Sequence, residues 1–178
     1  MTTSHFSSRF GVILCLIVAL VAAAAYAEPG ERFPSIKTAN LAKTKMQLPD
    51  DFAAERNVIL ASFGRDMQDA VDAWDAALAP LRDGVKVQVY NTPLIPNPGA
   101  IVRGFISGGM RSIYKDPEVR DRVIVLYVDE DEFFPALGVT ARDAPLVLVI
   151  DRAGVEIGRV QGTLDDANLA AVRDLIER

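Results

Sequence analysis

Two side chains among these 178 residues are the usual starting points for catalysis, the single cysteine Cys15 and the single histidine His5. Both fall in the first 27 residues, a stretch that reads as a leader rather than as fold. Residues 1–10 carry Arg9 and several hydroxyls, 11–25 are apolar, and Ala25-Tyr26-Ala27 offers the small residues a cleavage site needs. A basic start, an apolar middle and such an exit describe a secretory signal. Cleavage is expected after Ala27, giving an exported, periplasmic protein; an N-terminal membrane anchor is the alternative. Residues 28–178 then hold neither thiol nor imidazole. Disulfide exchange, thiol transfer and cysteine-based peroxide reduction need a thiolate, so they are excluded for that chain. Ser-His-Asp and Cys-His arrangements go with them, as do the common zinc and copper ligand sets.

The remaining candidates are charges and glycines. Asp129-Glu130-Asp131-Glu132 is the densest carboxylate run. It lacks the alternating acids and glycine of a calcium loop, and it reads as a solvated helix start where carboxylates favour the N-terminal dipole. Gly104, Gly108 and Gly109 do not have the G-x-G-x-x-G spacing of a dinucleotide site. No metal and no cofactor is expected. Two arginines stand out instead. Arg65 lies at a strand–helix junction, where helix polarity disfavours a cation, so it should be paired or used. An ion pair with Asp66 or Asp69 is the bland reading. The functional one joins Arg65 and Arg103 as a clamp for an anion or a peptide carboxylate.

The elements that must position these groups can be read in order. Residues 28–56 form a lead-in with an extended start at Phe33-Pro34. Its lysines Lys37, Lys43 and Lys45 read as a solvated arm, with peripheral contact to an anionic membrane as the alternative. Residues 57–63 (NVILASF) are a short apolar run ended by Gly64, as in a buried central strand. Met67, Ala70, Val71, Trp74, Ala77, Leu78 and Leu81 recur at helical spacing, with Asp66 as N-cap and Pro80 at the fraying end. Residues 85–90 alternate as a half-covered strand does. Strand, helix and strand make a parallel βαβ unit.

Thr92-Pro93, Ile95-Pro96 and Asn97-Pro98-Gly99 predict one long irregular loop, the kind of segment that carries function. Residues 101–113 form a helix loosened by its glycines. Residues 123–128 (VIVLYV) read as a strand. Ala144-Pro145 leads into the strand 146–150, a turn at Asp151-Arg152-Ala153-Gly154, a strand at 155–160 and a closing helix with Thr163 as N-cap. These observations describe one α/β domain over 57–178. The chain's net charge of −5 argues against nucleic acid, which favours a basic footprint.

The order from Pro145 onward, X-Pro, strand, hairpin, strand, glycine and helix, resembles the C-terminal half of the thioredoxin-like fold. That resemblance implies a central mixed β-sheet flanked by helices, with a cis peptide at Pro145 beside the site. Gly64-Arg65, Ile95-Pro96 with Val102-Arg103, and VLVIDRAGVEIGRVQG further resemble the YtfJ-type family of small exported thioredoxin-like proteins without a redox cysteine pair. Residues 95–162 are also similar to the mitochondrial ATP-synthase assembly factor family, whose members act as chaperones for a synthase subunit. The layout also relates the chain to the peroxiredoxins. The expected function is therefore a non-redox binding or assembly module for a protein or peptide partner, with Arg65, Arg103 and Pro145 as site residues. An enzyme or small-ligand carrier using arginines and carboxylates is the alternative.

Overall fold

The structure, a computed structural model, describes residues 30–178. The leader, with Cys15, His5 and the cleavage expected after Ala27, lies outside them. Fourteen elements run in the order β1 (Ile36–Ala39), β2 (Lys45–Leu48), β3 (Arg56–Ser62), a 3-10 turn at Arg65–Met67, α1 (Gln68–Leu78), a second 3-10 turn at Ala79–Leu81, β4 (Val87–Pro96), α2 (Ala100–Ile113), α3 (Pro117–Arg122), β5 (Leu126–Val128), α4 (Glu130–Ala136), β6 (Leu146–Asp151), β7 (Glu156–Gln161) and α5 (Asp166–Glu177). Five strands form one mixed sheet in the order β5-β4-β3-β6-β7, and β1 and β2 form a separate hairpin. β3, β4 and β5 are parallel, while β6 runs against β3 and β7 against β6.

β3 is apolar throughout Val58–Ala61 because it is central and both of its faces are covered. Its alternate side chains serve two cores. Ile59 and Ala61 pack with Phe52, Tyr90, Phe133 and Phe134 on one face. Val58 and Leu60 pack with Val71, Trp74, Leu78, Val172 and Leu175 of α1 and α5 on the other. Burying a side chain such as Val71 or Leu78 stabilises the fold by about 1.5–3 kcal/mol.

Lys37, Lys43 and Lys45 are exposed, as expected, but the lead-in that carries them is not a free arm. Phe33, Leu48 and Phe52 belong to the first core, and Phe33 meets Phe52 and Phe133 edge-on at 5.7 and 6.1 Å. The Phe33 amide donates to the Gly154 carbonyl, and the Leu41 amide donates to that of Val123. Gly154 permits this contact. Its φ is +79°, and a Cβ there would lie 2.4 Å from Cβ of Pro49. The apolar content of the lead-in is spent on the sheet face that the helices α1 and α5 leave uncovered.

The proline-rich stretch 92–99 is likewise strand for most of its length. Ser62, the last residue of β3, pairs with Pro93, and Val128, the last of β5, pairs with Pro96. Each proline falls where a neighbouring strand ends, so its missing N–H interrupts no ladder. The irregular part is only 97–99.

Two helix starts differ from expectation. Met67, not Asp66, precedes α1, and its sulfur accepts the Phe63 amide at 3.5 Å. Asp165, not Thr163, caps α5 by accepting from the Asn168 amide at 2.7 Å.

Candidate functional site

In a sheet of this kind ligands bind beyond the carboxyl ends of the parallel strands, where helix starts and loops converge. Here that edge carries the Phe63–Met67 junction after β3, the 97–99 turn after β4, the start of α4 after β5, and the loop leading into β6. Arg65 is exposed in the 3-10 turn that opens α1. Among the described residues it makes no ion pair, so the expected bridge to Asp66 or Asp69 is not formed. Gly64 immediately before it presents no side chain, and a Cβ there would lie 2.3 Å from Oδ1 of Asp66. Met67, the last residue of the turn, is buried.

Pro145 is buried just before β6, with its carbonyl taken by the Gly162 amide at 2.9 Å. The Ala144–Pro145 bond is trans, against expectation; among the described residues the cis peptide is Leu48–Pro49. Trans is the lower-energy isomer of an X-Pro bond by about 0.5–1 kcal/mol, so only a local constraint would override it. The loop here has a different brace. Nε2 of Gln161 donates to the Ala144 carbonyl at 2.7 Å. What reaches solvent is the loop itself, through Arg142 and Asp143.

Arg103 is held differently. Its guanidinium lies over the Tyr127 ring, 5.9 Å from the centroid, and its carbonyl accepts from the Tyr127 hydroxyl at 3.2 Å. Tyr127 is on the edge strand β5, three strand intervals from β6. At about 4.8 Å per interval, roughly 14 Å separate the strand under Arg103 from the strand that Pro145 opens. Arg65 and Pro145 share the β3–β6 part of the edge, and Arg103 flanks it from the β5 side.

Arg142 was not singled out from sequence. It stacks over Phe134 at 5.2 Å from the centroid and pairs with Glu130 at 3.3 Å. Phe134 in turn meets Phe63 edge-on at 5.8 Å, so Arg142 is linked through one ring to the residue that precedes Gly64-Arg65. Its signal was weak, a lone arginine in a polar loop. The acidic run is engaged in opening α4: Asp129 accepts from the Asp131 amide at 3.0 Å, and Glu130 holds Arg142.

No family model matches the sequence, and no curated protein sequence matches it. Solved structures do match the architecture. A proposed electron-transfer protein of Aquifex aeolicus superposes with a TM-score of 0.62 at 13% identity, over 84% of this chain and 92% of that one. The exposed lipoprotein thioredoxin Etrx1 of Streptococcus pneumoniae gives 0.55 at 12%, over 82% and 100%. BsSco, a member of the Sco family of cytochrome c oxidase assembly proteins, gives 0.56 at 9%, over 84% and 94%. The fold is thioredoxin-like. At the junction between β3 and α1 this thioredoxin-like chain has Phe63-Gly64-Arg65-Asp66-Met67, and residues 30–178 contain no cysteine.

Proposed function

We propose that this chain is an exported, non-redox thioredoxin-like module that binds a protein or peptide partner along the carboxyl edge of its sheet. The observation that carries the reading is Arg65, an exposed cation without an ion pair among the described residues, at the strand–helix junction of a fold whose junction here holds no thiol. A guanidinium offers a planar fork to a carboxylate or a backbone carbonyl. Arg103 and Arg142 are both stacked on rings, which holds their positions along the same edge. The span between the β5 and β6 sides suits an extended segment lying across the strand ends better than one pinched carboxylate. YtfJ-type and assembly-factor kinship remains part of this proposal, as does export with cleavage after Ala27.

Photo-crosslinking in the exporting cell tests the reading, with the probe at Asp143 beside Pro145 and separately at Asn97. One protein captured at both positions is expected. Arg65→Ala should reduce its capture about tenfold, the loss of one charge-assisted hydrogen bond. Arg103→Ala should weaken the same adduct. Capture of no protein at either position overturns the reading in favour of a small ligand, and capture indifferent to both arginines removes them from the contact.

A further inference from the structure

α2 is amphipathic in the reverse sense. The side it turns to the sheet carries Arg103, Ser107, Met110 and Tyr114, spaced as one helical stripe. Ser107 Oγ and the Tyr127 hydroxyl are 2.9 Å apart, Arg103 stacks on the same ring, and Met110 and Tyr114 pack on the small core of Leu41, Val123 and Val125. The opposite side is apolar. Ile101 is 78% exposed, Phe105 77%, Ile113 75% and Val102 45%, and of the five large apolar side chains exposed among the described residues four belong to this helix. Large apolar side chains exposed together on one helix face mark an interaction surface.

The charge around the patch selects its occupant. Residues 100–115 contain no carboxylate, and besides the inward Arg103 they carry Arg111 and Lys115, in a chain whose net charge is −5. Lys43 adds a further exposed cation in the turn beside Leu41, which packs with Met110 and Tyr114 of the helix. The nearest carboxylates in sequence lie past the end of α2, in and around α3. Asp116 caps that helix, Glu118 lies in its first turn and Asp121 accepts from Asn40. A convex apolar ridge edged by cations matches an anionic bilayer, where an interfacial helix sinks its apolar side about 5–10 Å toward the acyl chains.

We propose that the outward face of α2, centred on Ile101, Phe105 and Ile113, docks this domain onto an anionic lipid surface. The surface is distinct from the carboxyl-edge contact, and its failure would leave that reading standing.

Phe105→Trp tests it, because position 105 is exposed and the native Trp74 is fully buried and serves as constant background. The protein is taken in the form the exporting cell leaves it, and mixed with vesicles of equal phosphatidylcholine and phosphatidylglycerol bearing brominated acyl chains. The expected result is a blue shift with quenching, absent on phosphatidylcholine alone and weakened by salt. Adding Arg111→Glu and Lys115→Glu should reduce partitioning at least about tenfold. A retained leader could tether the protein to vesicles, but it would not carry position 105 into the acyl region. No quenching on the anionic vesicles overturns the proposal, as does equal quenching without phosphatidylglycerol or indifference to the charge reversals. A blue shift without vesicles together with a dimeric mass assigns the face to a second copy instead.

Discussion

Trp74 Nε1 donates to the Gly162 carbonyl at 3.0 Å, tying the first long helix to the junction between the last strand and the last helix. The indole is fully buried, so it does two jobs: it fills the core under α1, and it satisfies a carbonyl that the chain exposes as it leaves β7. Trp74→Phe keeps an aromatic body and removes the donor. We expect a loss of about 1–3 kcal/mol, the cost of an unsatisfied carbonyl added to a small void. A urea unfolding curve would show it as a lower midpoint with an unchanged slope. An unmoved midpoint would mean that water replaces the indole.

Glu156 and Arg159 form an ion pair inside the fold, with side chains 4% and 8% exposed. Arg159 also donates to the carbonyls of Leu137 and Gly138, so the pair locks the end of α4 to β7. Arg159→Met should destabilise by about 3–5 kcal/mol, because it leaves the Glu156 carboxylate buried and alone. The double change Glu156→Leu with Arg159→Met should cost less than Arg159→Met by itself. Thermal unfolding of the three proteins decides it, and additive losses would refute the pairing argument.

Much of this architecture was legible because it is encoded locally. The apolar run of β3, the spacing of Val71, Trp74 and Leu78, and the Asp151–Gly154 turn are each set by neighbours in the chain. The isomer of Ala144–Pro145 was not, since cis and trans differ by only about 0.5–1 kcal/mol and no local pattern separates them. The prolines at 93 and 96 looked like loop because the sequence does not show that β3 and β5 stop beside them. In α2 the periodicity revealed a helix but not which side would face inward. The inward contacts, Ser107 with the Tyr127 hydroxyl and Met110 and Tyr114 with the core of Leu41, Val123 and Val125, all join residues distant in sequence.

The glycines of α2 and β7 should respond oppositely to a methyl group. At Gly104 and Gly109 a Cβ would meet nothing within 4 Å, so alanine should firm the helix by about 0.5–1 kcal/mol at each position. At Gly158 a Cβ would lie 2.5 Å from Cδ2 of Leu175 in α5. Gly158→Ala should therefore destabilise by about 1–3 kcal/mol through overpacking. Melting temperatures that rise for the first two and fall for the third are the expected pattern. A fall at Gly104 or Gly109 would show that the exposed helix already packs against something.

Asp83 supplies a stability term that depends on pH. Its Oδ1 accepts from the amides of Val87 at 3.0 Å, Val85 at 2.9 Å and Lys86 at 2.7 Å, organising the turn that feeds β4. The Val87 amide, then those of Val85 and Lys86, hold the carboxyl below its ordinary value of 3.8, with a smaller contribution from the Lys86 charge. Because folding lowers this pKa, the folded chain favours the ionised form. The stabilisation is thus present above the ordinary value and is lost as pH falls through the lowered one. Asp83→Asn keeps an acceptor and removes the charge. At neutral pH its melting temperature should lie below that of the wild type, and the gap should close as the solution is acidified past the ordinary carboxylate range. A gap that persists undiminished in acid would mean that side-chain geometry, not ionisation, holds the turn.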